Sequence, residues 1–267
     1  MYELNQVDLA FVVDTTGSMG PFLQTAQRQM IDLLEAIAGA AATPIDLRLA
    51  IVEYRDHPPQ DTTFVTRPHS FTACMRQAQD TINGLKPDGG GDAPEAVCDG
   101  LFAACGQLGW REHSRRLAIL IGDAPPHGCQ DAMNDGFRNG CPCGLTADSI
   151  TALLEQNGIT LYAVGLHHWV AQSFGRLARF TGGEYFESQH ADDALKALQS
   201  LLAAEFGDID FDRQVLEQAG ACREWTLDNL GEALKSPRSR LSASLSRLGR
   251  RGLLARGPAE TPGDSAC

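Results

Sequence analysis

Residues 7–14, Val-Asp-Leu-Ala-Phe-Val-Val-Asp, are apolar at six of eight positions and end on a carboxylate. A run this short and this continuous suits a strand covered on both faces, the environment of a parallel sheet. Thr15-Thr16-Gly17-Ser18-Met19 follows at once and leads into a helical stretch near 20–39. The chain thus opens with a strand-to-helix unit whose connecting loop reads D-x-T-x-S. On such a loop Asp14, Thr16 and Ser18 bring one carboxylate and two hydroxyls, at alternating positions, within reach of one small hard cation. Mg²⁺ takes oxygen ligands in an octahedron and keeps several waters, so three protein oxygens leave positions open. The plainer alternative for this loop is a strand-to-helix turn with Ser18 as N-cap.

The alternation continues along the chain. Strands are expected at 46–54, near 62–66 after Pro58-Pro59, and at 116–122, 159–166 and 184–187; helices are expected near 72–84, 92–108, 146–157, 170–181 and 191–205. Short apolar strands alternating with helices predict an α/β fold, a doubly wound and mainly parallel sheet. Open sheets of this kind bind ligands beyond the carboxyl ends of their strands. Cys98 and Cys105 lie seven apart on one expected helix and read as core residues.

The first loop resembles the metal-ion-dependent adhesion site (MIDAS) of von Willebrand factor A (vWA) domains, over roughly the first three-quarters of the chain. The resemblance implies a vWA/Rossmann-like sheet with Mg²⁺ (or Mn²⁺ or Ca²⁺) at its carboxyl end. It also implies further ligands from two later loops. Ile119-Leu120-Ile121-Gly122-Asp123 is a second buried strand ending in a carboxylate, and Gly89-Gly90-Gly91-Asp92 matches the middle loop. Adhesion receptors of the family usually have threonine where this chain has Asp92. Asp92-Ala93-Pro94-Glu95 also reads as an N-cap, an early helical proline and a capping-box glutamate, so capping and ligation both stand for Asp92. Three aspartates (Asp14, Asp92 and Asp123) would over-neutralise Mg²⁺, holding the cation tightly while attracting an acidic partner less. Glu53-Tyr54-Arg55-Asp56-His57 also fits microbial vWA proteins, although Arg55 and Asp56 read more simply as a solvated loop. His167-His168-Trp169 reads as an exposed loop at the same sheet end.

A Gly/Cys/Asn-rich loop follows Asp123. His127, Cys129, Cys141 and Cys143 fall within 17 residues. Clustered cysteines in a reducing compartment bind metal more often than they pair, and a Cys₃His set would make a closed structural Zn²⁺ site. Free thiols and a disulfide or redox pair remain as alternatives, because Cys-Pro-Cys is tighter than C-x₂-C. Either way the loop should overhang the Mg²⁺ face.

The end of the chain has a different character. Asp212–Ala219 and Trp225–Leu234 read as two helices, with Thr226 capping the second. Ser236-Pro237-Arg238-Ser239 is a turn, and Leu241, Leu245 and Leu248 mark a third helix. Gly252-Leu253-Leu254 could open a β-hairpin wing. Together these resemble a winged helix-turn-helix, which predicts a vWA domain over 1–206 with a Cys-rich insertion at 124–145, a small winged-helix domain over 207–257, and a disordered tail over 258–267. Between Lys235 and Arg256 there are seven basic residues and no acidic ones. Arg238, Arg240, Arg247, Arg250 and Arg251 are therefore candidates for contacting DNA or docking on protein. The whole chain carries −12, which opposes the phosphate-driven part of nucleic-acid affinity.

No basic-plus-apolar leader and no apolar run of about 20 residues is present, so a cytoplasmic protein without membrane contact is expected. The haloacid dehalogenase-like phosphatases carry D-x-D-x-T, whose second aspartate is the general acid; here Thr16 stands in that place. G-x-S-x-G and G-x-x-x-x-G-K-[ST] are both absent. The sequence therefore predicts a non-enzymatic, metal-dependent interaction module. Its expected partner is a protein, such as an AAA+ ATPase or an effector of a defence or stress system. The alternatives are a DNA-binding regulator and, less favoured, a Mg²⁺-dependent phosphatase-like enzyme.

Overall fold

The computed structural model describes residues 4–40, 44–129, 135–137, 139–221 and 225–254. Six strands form one sheet: β1 (Gln6–Asp14), β2 (Asp46–Tyr54), β3 (Thr66–Thr72), β4 (Arg115–Gly122), β5 (Ile159–Gly165) and β6 (Tyr185–Glu187). Their order is β3-β2-β1-β4-β5-β6. All neighbours are parallel except β3, which closes the β2 edge antiparallel. The expected edge strand near 62–66 is thus displaced to 66–72. Residues 57–63 are instead held by local turns, with Gln60 and Asp61 bonded back to the His57 carbonyl.

Alternation along β1 explains the two layers. Val7, Leu9, Phe11 and Val13 face a core shared with α1 (Gly20–Ala40), α2 (Met75–Gly84) and the first half of α6 (Ala191–Ala221). Ala10 and Val12 face the other core, built with α3 (Val97–Gln107), α4 (Ala147–Gln156) and α5 (Ala171–Phe180). Ala10 stands in register with Ala50 on β2 and Ala118 on β4. This row of small side chains lets α3 lie close to the sheet, and Cys98 and Cys105 on that helix are buried as expected.

Two helices close the described chain, α7 (Leu227–Leu234) and α8 (Arg238–Arg250). Thr226 caps α7 as expected, its hydroxyl accepting from the Asn229 N–H at 3.2 Å. Lys235, at φ 48°, makes the left-handed turn into α8. The break expected near residue 206 is absent, because α6 runs unbroken for 31 residues. Phe206 and Ile209 face the first core, whereas Phe211, Val215 and Ala219 face a third cluster with Trp225, Leu230, Leu241 and Leu248. One helix thus serves both units. The three C-terminal helices have the expected order, but Gly252-Leu253-Leu254 forms no strand. Residues 255–257, where a wing would continue, and the tail 258–267 lie outside the described residues.

Candidate metal centre and its rim

Asp14 ends β1 fully buried. Its Oδ1 accepts from the Thr16 N–H at 2.8 Å and from the Thr16 hydroxyl at 2.6 Å. Thr16 Oγ1 lies 3.4 Å from Ser18 Oγ, so the two hydroxyls share one side of the loop. Asp14 Oδ2 is buried without a hydrogen-bond partner. Burial, and then the charge of Asp123, push the Asp14 carboxyl up to about 7. Arg55 works against this from beneath. It is buried, donates to Thr15 Oγ1 at 3.3 Å and to the Lys86 carbonyl at 2.8 Å, and so braces the back of the loop.

The glycine run presses on the same loop. Gly17 N–H donates to the Gly89 carbonyl, and Asp88 N–H to the Thr15 carbonyl. Gly89 and Gly90 have φ of 74° and 80°, a region that glycine occupies without strain. A Cβ at Gly90 would stand 3.1 Å from Glu95 Oε1 and 3.2 Å from Thr16 Cβ, so Glu95 flanks the hydroxyl loop. Glu95 Oε2 is a second buried oxygen without a partner. Burial and the charges of Asp14, Asp56 and Asp123 push its carboxyl up to about 10. Asp14, Asp56, Asp123 and Asp92 all bear electrostatically on Glu95, and Asp123 bears on Asp14.

Asp92 lies at the edge of this group: its charge also raises Glu95, and its Oδ1 is likewise buried without a partner. Its Oδ2 accepts from the Gly136 N–H at 2.7 Å, and it also interacts with Asp56 and His127. It does not cap a helix, since α3 begins only at Val97 with Ala96 as its N-cap. The reason is tertiary: the Glu95 N–H pairs with the Pro125 carbonyl in a short bridge, so the backbone stays extended past Pro94. Glu95, read from the sequence as a capping partner, is the residue that this extension delivers to the Asp14 loop.

The Cys-rich loop also departs from expectation. His127 is buried, with Nε2 2.7 Å from Asp56 Oδ1 and Nδ1 3.2 Å from Asp135 Oδ1. Burial opposes its charged form, but the Asp56 and Asp135 carboxylates outweigh that and raise its pKa. Both ring nitrogens are thereby engaged, so His127 does not join the cysteines. Cys129 follows in the turn closed onto the Pro126 carbonyl and lies within electrostatic range of Cys98. Cys141 and Cys143 meet His57 and Asp99 instead. Arg55 and Asp56, expected on a solvated loop, are at most 5% exposed, as is His57 beside them. Alternation along β2 carried no sign of this, because the residues lie beyond the strand. His167-His168-Trp169 stacks at the same end as expected, and Trp169 donates to the Asp123 carbonyl at 2.5 Å.

Part of the basic C-terminal segment is engaged by the fold. Arg247 pairs with Asp208 and with the fully buried Asp212. Arg251, 5% exposed, donates to the Leu4 and His113 carbonyls at 2.9 and 2.8 Å. Arg250 donates to the Thr181 carbonyl at 2.8 Å. Of the five arginines expected on a docking face, Arg238, Arg240 and Arg250 are exposed. Arg238 is paired with Asp228, and Arg240 lies over the Phe211 ring.

The sheet and its flanking helices have a vWA/Rossmann-like α/β fold. Residues 8–126 match the family model described as von Willebrand factor A domain. It is 30% identical over 213 residues to a putative ariadne-like RING finger protein, R811, of Acanthamoeba polyphaga mimivirus, covering 74% of this chain and 20% of that protein. It is 29% identical over 157 residues to the alpha-protein kinase vwkA of Dictyostelium discoideum, covering 58% of this chain and 24% of the kinase. The chain thus spans a quarter or less of these relatives. Among solved structures, proximal thread matrix protein 1 from the mussel byssus, with a zinc-occupied MIDAS motif, superposes at TM-score 0.54 and 16% identity over 75% of this chain and 46% of that one. BatB from Bacteroides thetaiotaomicron does so at TM-score 0.52 and 14% identity, over 76% and 99%.

Proposed function

We propose that the chain is a non-enzymatic, metal-dependent protein-interaction module. Asp14, Thr16, Ser18, Glu95 and Asp123 would hold a divalent cation, with Mg²⁺ the best match to an all-oxygen set. The observation that carries this reading is that, of the buried carboxylate oxygens without a partner on Asp14, Asp56, Asp61, Asp92 and Glu95, those of Asp14 and Glu95 flank the loop that carries two hydroxyls at the carboxyl end of the sheet. Buried carboxylates left unpaired are costly, and a cation removes that cost. A bound cation supplies an open coordination position for a partner's oxygen. Three carboxylates over-neutralise a divalent cation, which favours a carbonyl or hydroxyl oxygen over a strongly acidic group. Asp92 belongs to the rim of this site.

The partner is a protein. The relatives named for a kinase and for a RING finger are far longer chains, so a vWA segment that recruits a client to another activity fits their size. AAA+ ATPases and effectors of defence or stress systems are partners of the same kind. DNA is the weaker reading, because Arg247, Arg250 and Arg251 are committed to the fold and the chain carries −12. The test is affinity capture with the full chain in Mg²⁺ and in EDTA, with Asp14→Ala as control. A protein retained only by the wild type in Mg²⁺ supports the proposal. A protein retained equally by Asp14→Ala in EDTA contradicts it.

A further inference from the structure

Apart from the Asp14 loop, one group of side chains converges without any role in the reading above. Cys141 Sγ lies 3.0 Å from Asp99 Oδ2 and 3.4 Å from His57 Nε2, and His57 Nε2 lies 3.1 Å from the same Asp99 oxygen. With Cys143, the four ligand atoms all fall within 4.8 Å of one another. They come from three separate pieces of chain: the residues after β2, the first turn of α3, and the Cys-rich loop. With Zn–S near 2.3 Å and Zn–N or Zn–O near 2.1 Å, the edges of a tetrahedral site are roughly 3.3–3.8 Å. The His57, Asp99 and Cys141 separations of 3.0–3.4 Å need a small expansion, and the wider ones, up to 4.8 Å, a contraction onto the ion.

We infer that His57, Asp99, Cys141 and Cys143 form a structural Zn²⁺ site that pins the Cys-rich loop beside the metal face. Two thiolates, an imidazole and a carboxylate are a donor set that favours zinc over Mg²⁺ or Ca²⁺. Four protein ligands close the site, which is the structural form. A nucleophilic cysteine is the competing use of these groups, and the geometry opposes it. Asp99 and Cys141 approach the same ring nitrogen, so Asp99 cannot orient the imidazole from the far side as a triad requires. Burial and the Asp99 carboxylate also keep both thiols above their ordinary values, unlike an activated thiolate. On zinc binding each thiol gives its proton to solvent, so two protons leave for one ion bound.

The site would also order its neighbours. The His57 N–H donates to Asp56 Oδ1 at 2.6 Å, and that oxygen is also 2.7 Å from His127 Nε2. Phe137 packs edge-on against both the His57 and His127 rings. Fixing His57 therefore fixes the buried polar lattice under the loop.

The experiment is titration of Co²⁺ and Zn²⁺ into the reduced full chain, read by the thiolate-to-cobalt charge-transfer band and by retained zinc after gel filtration. Wild type is expected to hold one zinc and to show the band with tetrahedral d–d absorption. Cys143 is exposed, so Cys143→Ser should fold normally by circular dichroism yet lose the band, as should His57→Ala. Cys129→Ser and His127→Ala should keep it. Asp14→Ala should keep it too, which separates this site from any zinc held by the Asp14 loop. A wild type without the band overturns the inference. So does a band that survives Cys143→Ser, or one abolished by Cys129→Ser.

Discussion

At the scale of single residues, the fold leaves one oxygen of Asp14 and one of Glu95 buried and unpaired. Their raised pKa values favour the folded state when protonated. That contribution is whole below about pH 4, the unfolded range. It is lost as pH rises, through about 7 for Asp14 and about 10 for Glu95. The metal-free protein should therefore lose thermal stability from acid to alkaline pH, and the Tm gained from saturating Mg²⁺ should grow over the same range. Differential scanning fluorimetry with Mg²⁺ and with EDTA across pH checks this. Glu95→Gln should raise metal-free stability while weakening Mg²⁺ by about tenfold or more. Asp14, Thr16, Ser18 and Asp123 were legible because their positions follow from strand ends. Glu95 was not, because Asp-Ala-Pro-Glu has the spacing of a helix start. Only the tertiary bridge from Glu95 to the Pro125–Pro126 segment keeps that segment extended. His57 and Asp99 escaped notice because no spacing rule links a residue after β2, a helix turn and a loop more than 40 residues on.

At the scale of elements, the instructive case is α6. Gly207-Asp208 looked like a boundary, yet glycine costs a helix interior only about 1 kcal/mol, and no proline intervenes. Continuity is rewarded because Phe206 and Phe211 bury into different cores a few residues apart. The basic stretch of α8 misled for a related reason: composition shows charge but not direction. Arg247 lies over α6, and truncating it would strand Asp212, which is fully buried. Arg247→Ala should cost about 3–5 kcal/mol, the range for breaking a buried pair, read by urea denaturation. Arg238→Ala, on an exposed and solvent-screened pair, should leave the urea midpoint essentially unchanged. Thr226→Ala removes the cap of α7 and should cost about 1 kcal/mol.

At the scale of the whole molecule, the two notable regions sit at opposite ends of the sheet. The Asp14 loop, Glu95, Asp123 and the Cys-rich loop gather at the carboxyl ends of β1, β2 and β4. α8 leans on Leu4, His113 and Thr181, and Gly158 abuts the Arg250 carbonyl, at the amino ends of β1, β4 and β5. A strand of seven residues such as β5 separates these ends by roughly 20–25 Å. A small partner bound at the metal face would not touch α8, so the pair Arg238→Ala and Arg240→Ala should leave metal-dependent capture unchanged.

The account turns on which carboxylates meet a cation. Isothermal titration of Mg²⁺ into the metal-free full chain, at alkaline pH, decides it. One site is predicted for the wild type and none for Asp14→Ala. Glu95→Gln should bind about tenfold or more weakly, and Asp92→Asn within about twofold of wild type. A wild type that binds no Mg²⁺, or an Asp92→Asn that loses as much affinity as Glu95→Gln, would contradict it.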